Sequence, residues 1–285
     1  MHDRLIVGFD GSESSATALE WAVDEATLRR ASVRVVSSYA LAAKHSFGVY
    51  TKDETREEMN RQAAACQTQV GAAIALVQQR SPGLGVDQRI VEQPAADALV
   101  EESSGADLVV VGAGRPGLVK SFFLGSVTAT VLHHGHCPVV VVPAVLHDHT
   151  GRVVVGIDGS AHSADAVLWA CEQADRLQDE LLVIHAWEYP YRVTADAVSR
   201  GADIARVDAS IVMERALELA RERAAGDVKG RIVEASAAEA LITASDTADL
   251  VVVGSRGVGG FRSMLLGSVA HAVAVHATCP VAVIR

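Results

Sequence analysis

The residues best suited to chemistry form a glycine-rich stretch from Gly254 to Gly260, with Gly267 and Ser268 shortly after it. The run Asp249–Val253 before it is typical of a strand, and the run Val269–His276 after it has helical periodicity. Where a strand leads through a glycine-rich loop to a helix start, backbone N–H groups can face an anion, and glycine admits close approach of a ligand. The stretch therefore predicts a loop that holds the phosphates and ribose of a nucleotide.

A carboxylate recurs at the end of two other strand-like runs. Asp10 lies in Val7-Gly8-Phe9-Asp10-Gly11-Ser12, and Asp158 lies in Val155-Gly156-Ile157-Asp158-Gly159-Ser160. An aspartate at such a position can accept a hydrogen bond from a ribose hydroxyl or a base amine. Asp-Gly-Ser after a strand is also a common turn and helix cap, with Ser12 as the capping residue of the first helix. On these residues alone, both interpretations stay open.

The chain contains an internal duplication, because the two Asp-Gly-Ser segments lie 148 residues apart and other segments also recur. Asp107–Gly112 recurs as Asp249–Gly254, and Gly125-Ser126-Val127 recurs as Gly267-Ser268-Val269, now 142 residues apart. The difference between the two offsets means that the first copy carries six extra residues between its markers. The duplication predicts two domains, residues 1–145 and 151–285.

Strand-like and helical segments alternate within each copy. In the first copy, strands are expected near Leu5–Phe9, Val33–Ser37, Val86–Val91, Leu108–Val111 and Val139–Val142, and helices near Ser14–Arg30, Glu54–Gln79, Ala95–Glu102 and Val127–His134. Ser126 is predicted to cap the last of these helices. The alternation predicts a parallel sheet with right-handed crossovers and helices on both faces.

The predicted fold class is therefore α/β, with two tandem, doubly wound, Rossmann-like domains. Each has five parallel strands in the order 3-2-1-4-5 with the last strand at the edge. In this order the first and fourth strands are neighbours, and the winding reverses between them. Asp10 or Asp158 would thus share one crevice with the glycine loop of its own copy.

Two better-known nucleotide motifs do not fit. The chain has no G-x-x-x-x-G-K-[ST], which disfavours a P-loop ATPase. Gly112–Gly117 does spell G-x-G-x-x-G, but it follows the fourth strand, and Pro116 interrupts it. A dinucleotide site needs this motif after the first strand and an acidic residue further on, and no Asp or Glu occurs between Leu118 and His147. NAD is therefore not expected.

Composition excludes other classes of partner. The formal net charge of −10 and the pI of about 5.5 argue against a long-range basic field for nucleic acid. No apolar run is long enough to cross a bilayer or to form the apolar region of a signal peptide, so neither membrane nor nucleic acid is a predicted partner, and the predicted location is cytoplasmic.

The short histidine clusters His133–His136 and His147–His149 lack a wider set of ligands, and no metal site is predicted.

These residues resemble the universal stress protein family in its tandem two-domain form, which is common among actinobacteria. The nucleotide-binding pattern of the family is G-x2-G-x9-G-[ST], and the second copy matches it with Gly254, Gly257, Gly267 and Ser268. The resemblance spans nearly the whole chain. It implies the fold described above, ATP as the ligand, with or without Mg²⁺, and a role in stress response, dormancy or growth control.

By the same resemblance, two sets of residues would contact the nucleotide. In the second copy they are Gly156, Asp158, Gly254, Ser255, Arg256, Gly257, Val258, Gly259, Gly260, Gly267, Ser268 and Val269. In the first copy they are Gly8, Asp10, Gly112, Ala113, Gly114, Arg115, Gly125, Ser126 and Val127. The first set departs from the pattern, because Arg115 stands where the second glycine is expected. Its long cationic side chain would either donate to a phosphate or fill the crevice.

The leading hypothesis is an ATP-binding regulatory protein that is not an enzyme, and no catalytic residue is predicted. The alternatives are a slow ATPase and a partner-binding scaffold with a vestigial first nucleotide site. The predicted small-molecule partner is an adenine nucleotide. The last strands, Pro138–Val142 and Pro280–Ile284, are predicted to pack against each other as an internal pseudo-dimer, which resembles the usual dimer of the family. Whether two chains also form a homodimer stays open.

Overall fold

The computed structural model describes residues 4–40, 52–114, 124–188, 195–258 and 265–285. The chain divides into two compact units, Met1–Ala144 and Val145–Arg285. The elements of the first unit are β1 Arg4–Gly8, α1 Glu13–Arg29, β2 Ser32–Tyr39, α2 Lys52–Arg80, β3 Val86–Glu92, α3 Ala95–Ser103, β4 Leu108–Gly112, α4 Ser126–His134 and β5 Val139–Val142. Those of the second are β6 Arg152–Ile157, α5 Ala161–Leu177, β7 Glu180–Trp187, α6 Ala195–Arg223, β8 Val228–Glu234, α7 Ala237–Ser245, β9 Leu250–Gly254, α8 Ser268–His276 and β10 Val281–Ile284.

Each unit has a parallel sheet with the predicted strand order. The spatial order is β3-β2-β1-β4-β5 in the first unit and β8-β7-β6-β9-β10 in the second. Within each unit, the strand that comes last in the chain therefore lies at one end of the five. All these neighbouring strands pair in parallel. Helix α1 packs against α2 and α3 against α4, and the second unit repeats this with α5 against α6 and α7 against α8. These observations confirm the doubly wound α/β fold.

The strands beside the crevice are apolar along their whole length because helices cover both of their faces. Residues Leu108–Val111 of β4 are at most 4% exposed, and Leu250–Val253 of β9 are at most 3% exposed. Burying one such valine or leucine side chain stabilises a fold by about 1.5–3 kcal/mol. Strands β3 and β8 lie at the end of their sheet away from the fourth strand, and most of their residues are partly or fully exposed. The valine runs therefore fix the position of the strands that lead into the crevice.

The ends of the elements in the first unit lie within two residues of the predicted ends. Ser12 is confirmed as the N-cap of α1, since its hydroxyl accepts a hydrogen bond from the Ser15 N–H at 3.2 Å. The prediction that Ser126 caps α4 is wrong. Gly125 is the N-cap residue and makes no side-chain cap hydrogen bond, because α4 starts at Ser126 itself. Ser126 lies inside the helix, where its carbonyl accepts from Thr130 Oγ1 at 2.9 Å.

The winding of each sheet reverses between its first and fourth strands. Strand β1 pairs with β2 on one side and with β4 on the other. The chain leaves β1 for α1 on one face and leaves β4 for α4 on the opposite face. The two departing segments leave a crevice at the carboxyl ends of the strands. Strands β6 and β9 form the equivalent place in the second unit.

All four cysteines, Cys66, Cys137, Cys171 and Cys279, are free and buried. Burial raises the pKa of the Cys171 thiol to about 11 and that of the Cys279 thiol to about 12. In the described parts of the chain, no helix combines the length and the hydrophobicity that crossing a bilayer requires.

Candidate functional site

A crevice of about 480 Å³ opens at the carboxyl ends of β6, β7 and β9 in the second unit. Its apolar wall includes Ile184 from β7 and Leu241 from α7. Among the residues predicted for this site, the crevice brings together Gly156, Asp158, Gly254, Arg256, Gly257, Val258, Gly267, Ser268 and Val269. The predicted residues Gly259 and Gly260 lie outside the described part of the chain.

Asp158 joins the first helix of the unit to the glycine-rich loop. Its Oδ1 accepts the Ser160 N–H at 2.9 Å, and its Oδ2 accepts the Val258 N–H at 2.8 Å. Burial acts to raise the pKa of Asp158, but hydrogen bonds from Ser160, Val258 and Ser163 outweigh it and lower the pKa. The crevice therefore contains an ionised carboxylate that directly contacts the loop.

At two positions of the loop, other groups of the protein approach the backbone so closely that only glycine fits without a shift. A Cβ on Gly257 would overlap Oδ2 of Asp158. A Cβ on Gly254 would lie 2.9 Å from the backbone of His162 at the start of α5. A side chain at residue 254 would collide with backbone, and one at residue 257 would displace either the Asp158 carboxylate or the loop. The first two glycines of the motif are thus explained by the protein's own atoms.

Ser255 is a predicted site residue that does not line the crevice. It is only 2% exposed, its N–H donates to the Ile284 carbonyl at 2.6 Å, and its own carbonyl accepts from the Gly267 N–H at 2.8 Å. These bonds tie the start of the loop to β10 and to the start of α8. Ser255 therefore positions the loop and does not face the crevice.

The start of α8 and the side chain of Arg256 give the crevice its electropositive groups. Gly267 is the N-cap residue of α8 and supplies no side-chain acceptor. Ser268 and Val269, in the first turn, line the crevice, as does the exposed Arg256. An uncapped helix start carries partial positive charge on its N–H groups and attracts anions. The crevice can accept a ligand that has both hydroxyl donors and a negatively charged end.

The first unit has a crevice of about 290 Å³ in the equivalent place. Its lining includes the predicted residues Gly8, Asp10, Gly112, Gly114, Gly125, Ser126 and Val127. Ala113 is not part of the lining, and its N–H donates to the Val142 carbonyl at 2.9 Å. Arg115, the residue that departs from the motif, lies outside the described residues.

Hydroxyl groups organise the first crevice. Oδ1 of Asp10 accepts both the N–H of Ser12 at 3.0 Å and its hydroxyl at 2.5 Å. The hydroxyl of Ser14 accepts the Gly114 N–H at 3.3 Å, and that of Thr128 donates to the Gly112 carbonyl at 2.8 Å. Side chains thus hold the backbone after β4 in this unit.

Comparison with known proteins decides the family. The model of the universal stress protein family matches residues 1–143 and again residues 149–285. A universal stress protein of Mycolicibacterium smegmatis is 35% identical over 295 residues, which cover 99% of this chain and 96% of that relative. This chain belongs to the universal stress protein family. The two matches agree with the duplication seen in the sequence and confirm the resemblance found there.

Two further relatives extend the comparison. A universal stress protein of Mycobacterium tuberculosis is 31% identical over 299 residues, which cover 99% of this chain and 96% of that protein. The crystal structure of a universal stress protein from Archaeoglobus fulgidus superposes with a TM-score of 0.66 at 20% identity and covers 99% of this chain and 96% of that one. At that level of identity the structural match shows that the fold is shared.

The two universal stress protein units differ at positions that the motif does not include. The hydroxyl residues that line the first crevice but were not predicted are Ser12, Ser14, Ser15, Ser38 and Thr128. In the second unit, Ala186 stands 148 residues after Ser38, and Ala270 stands 142 residues after Thr128. Both alanines line the second crevice. A position-by-position comparison of the two copies at these offsets would have indicated the difference.

Proposed function

We propose that this universal stress protein binds ATP in the crevice of its second unit and acts as a regulator in stress response, dormancy or growth control. The observation that carries the proposal is the contact between Asp158 and the glycine-rich loop beside an uncapped helix start. A carboxylate acceptor and a cluster of N–H donors in one crevice are the two kinds of group that a nucleotide requires.

Each part of ATP has a matching region. A ribose hydroxyl would donate to Asp158 Oδ2, joining or replacing the Val258 N–H that donates to it at 2.8 Å. The phosphates would accept hydrogen bonds from the loop and from the first turn of α8, and Arg256 would add a positive charge. Ile184 and Leu241 offer apolar surface to the base. The fit combines one acceptor, a cationic region and an apolar wall.

The described lining of the second crevice fits a nucleotide better than a directly bound metal ion. Asp158 is the one carboxylate among these lining residues, and both of its oxygens already accept backbone N–H groups. Mg²⁺ prefers several oxygen ligands and often binds through substrate phosphates. In this proposal Mg²⁺ would be held by the phosphates of ATP and by water.

The same crevice supports binding without rapid hydrolysis. Phosphoryl transfer to water needs a group that orients the attacking water, in addition to phosphate and metal contacts. Among the described residues that line the second crevice, Asp158 is the sole carboxylate, and we assign it to the nucleoside end. We therefore infer a nucleotide-binding regulator with little or no ATP turnover. A slow ATPase and a scaffold with a vestigial first site remain the rival functions.

The test is the nucleotide content of the full chain after native purification, with wild type compared with Gly257→Arg. Wild type should release ATP on denaturation, and purified protein freed of nucleotide should bind added ATP. Gly257→Arg should lose this binding, because any side chain at residue 257 overlaps the Asp158 carboxylate. Incubation should leave most of the bound ATP unhydrolysed.

Gly226→Arg provides the matched control. Gly226 is exposed in the same unit, and a Cβ on it would make only ordinary contacts at 3.5 Å or more. This variant should retain ATP. If wild type neither carries an adenine nucleotide nor binds Mg-ATP, the proposal is wrong and the scaffold function gains support. Rapid turnover of the bound ATP would favour the ATPase.

A further inference from the structure

A buried carboxylate lies at the amino end of the second sheet, where the proposed ATP site makes no use of it. Asp179 stands directly before β7, and its side chain is 2% exposed. Within the described residues, its Oδ2 is buried and has no hydrogen-bond partner. Its Oδ1 faces Nε2 of His149 at 3.3 Å. An ionised carboxylate buried in this way requires a cation or a proton next to it.

The fold itself does not require an aspartate at this position. The equivalent residue of the first unit is Ala31, which is 6% exposed. Each of the two residues follows a residue with left-handed backbone conformation. The N–H of Ala31 donates to the Ala26 carbonyl at 2.9 Å, and the N–H of Asp179 donates to the Ala174 carbonyl at 3.0 Å, so both preceding helices end in the same way. Since the backbone is the same, the carboxylate of Asp179 is specific to the second unit.

A second carboxylate holds the segment that leads into β6. Oδ1 of Asp249 accepts the Thr150 N–H at 2.8 Å, and Oδ2 accepts the Thr150 hydroxyl at 2.8 Å and the Arg152 N–H at 2.9 Å. Nδ1 of His149 lies 3.2 Å from Oδ1 of Asp249. Asp249 thus fixes the backbone on both sides of residue 151 and places the imidazole over Asp179.

The arrangement decides which nitrogen of His149 is available. An ionised Asp249 can only accept, so Nδ1 of the imidazole carries the hydrogen that faces it. In the neutral ring, Nε2 then has its lone pair toward Asp179 Oδ1, and two acceptors face each other at 3.3 Å. A positive ion between them would turn this repulsion into two favourable contacts.

We propose that Nε2 of His149 and the carboxylate of Asp179 bind one divalent transition-metal ion of the zinc type, with Asp249 orienting the imidazole. Two ligand atoms on a tetrahedral zinc, with bonds of about 2.0 Å, stand about 3.3 Å apart. This is the distance between Nε2 and Oδ1. An imidazole ligand favours zinc, copper or nickel over Mg²⁺ or Ca²⁺.

The surroundings complete the site. The three side chains offer ligand atoms that all lie within 4.8 Å of one another. A carboxylate on the other nitrogen of a metal-bound histidine is the usual outer partner, and Asp249 has this place. His149 is 64% exposed, so an ion can enter from solvent and keep water ligands. The bound ion would fasten the segment before β6 to the start of β7.

This proposal departs from the sequence-based expectation of no metal site at the histidine cluster His147–His149. That expectation rested on the lack of further ligands near the cluster in the sequence. The structure brings Asp179 and Asp249, which are 30 and 100 residues away from His149, next to it. His147 has different contacts, since its ring nitrogens face the carbonyls of Asp148 and Ser245.

The test is a zinc titration of the full chain, freed of metal and nucleotide, against a chromophoric zinc indicator. Wild type should bind one equivalent of zinc. Asp179→Ala and His149→Gln should each lower the zinc affinity by at least about tenfold, since even the removal of an outer partner typically causes a loss of that size. His147→Gln is the matched control and should bind as wild type does. Zinc should also raise the melting temperature of wild type but not of Asp179→Ala, which should fold because Ala31 has the same place in the first unit.

Three results would overturn the proposal. The first is no zinc equivalent bound by wild type. The second is equal binding by wild type and Asp179→Ala, which would place the ion on other histidines. The third is a pH-dependent difference in stability between these two proteins with no effect of zinc, which would mean that a proton bridges His149 and Asp179 in place of a metal ion.

Discussion

At the scale of residues, the second glycine of the loop motif is explained by a carboxylate of the protein. A side chain at residue 257 would overlap Asp158 Oδ2, which also accepts the Val258 N–H. The sequence predicted both residues for one crevice but assigned each to the ligand alone. Their contact with each other could not be predicted, because it depends on the path of a loop 100 residues away from the aspartate.

We expect Asp158→Asn to lower the affinity for ATP by about 10- to 100-fold. Weakening hydrogen bonds to a charged acceptor costs about 1.5–3 kcal/mol, and the new amide would also turn a donor toward one of the N–H groups. Isothermal titration of the full chain measures the change. Asp165→Asn, an exposed site on α5 with the same change of charge, is the control, and equal affinities for the two variants would contradict the role of Asp158.

Acid unfolding provides a second readout for the same residue. Hydrogen bonds lower the pKa of Asp158 in the folded chain, so its contribution to stability is present above the ordinary carboxyl pKa near 4. The contribution is lost as the pH falls through the lower value of the folded state. Wild type should therefore lose stability more steeply below about pH 4 than Asp158→Asn does, as measured by urea unfolding over a pH series.

At the scale of elements, the sequence predicted most of the fold because each local signal was strong. Valine runs such as Val139–Val142 have no competing helical pattern, and Ser12 caps α1 as its position indicated. The start of α4 was misplaced by one residue. Gly125 and Ser126 are both acceptable N-cap residues, and only the backbone path out of the loop determines which of the two takes that place.

The two serines of the first unit give a direct test of this difference. Ser12→Ala should lower the free energy of unfolding by about 1 kcal/mol, because it removes the hydroxyl that accepts the Ser15 N–H. Ser126→Ala should change it by less than about 0.5 kcal/mol, since α4 has no side-chain cap to lose. Urea unfolding of both variants measures the values. Equal losses would show that Ser126 has a capping role after all.

At the scale of the whole molecule, duplication has produced two units with one topology and different crevices. The first is lined by hydroxyl groups such as those of Ser38 and Thr128, where the second has Ala186 and Ala270. The repeat was readable because its markers are contiguous. The cluster of His149, Asp179 and Asp249 could not be predicted, because its residues come from three separate segments of the chain. The repeat gave no indication of it either, since the first unit has Ala31 in the place of Asp179.

We expect the wild-type chain to hold one ATP and Arg115→Gly to approach two. Arg115 stands at the position of Gly257, and Asp10 stands at the position of Asp158. In the second unit a Cβ at that place would overlap the carboxylate. Counting nucleotide released per chain gives the stoichiometry. Two ATP in wild type would show that Arg115 does not block the first crevice, and one ATP in Arg115→Gly would show that removing Arg115 is not sufficient for binding there.

The burial of two of the cysteines, Cys171 and Cys279, has a consequence for oxidation of the chain. Burial raises the pKa of the Cys171 thiol to about 11 and that of the Cys279 thiol to about 12, so both thiols stay protonated at pH 7. Peroxides and disulfides react with the thiolate, so these two sulfurs are poor targets for sulfenylation or glutathionylation. Oxidation of these two sulfurs would therefore first require the core around them to open, so their modification would report local unfolding and not the oxidant alone.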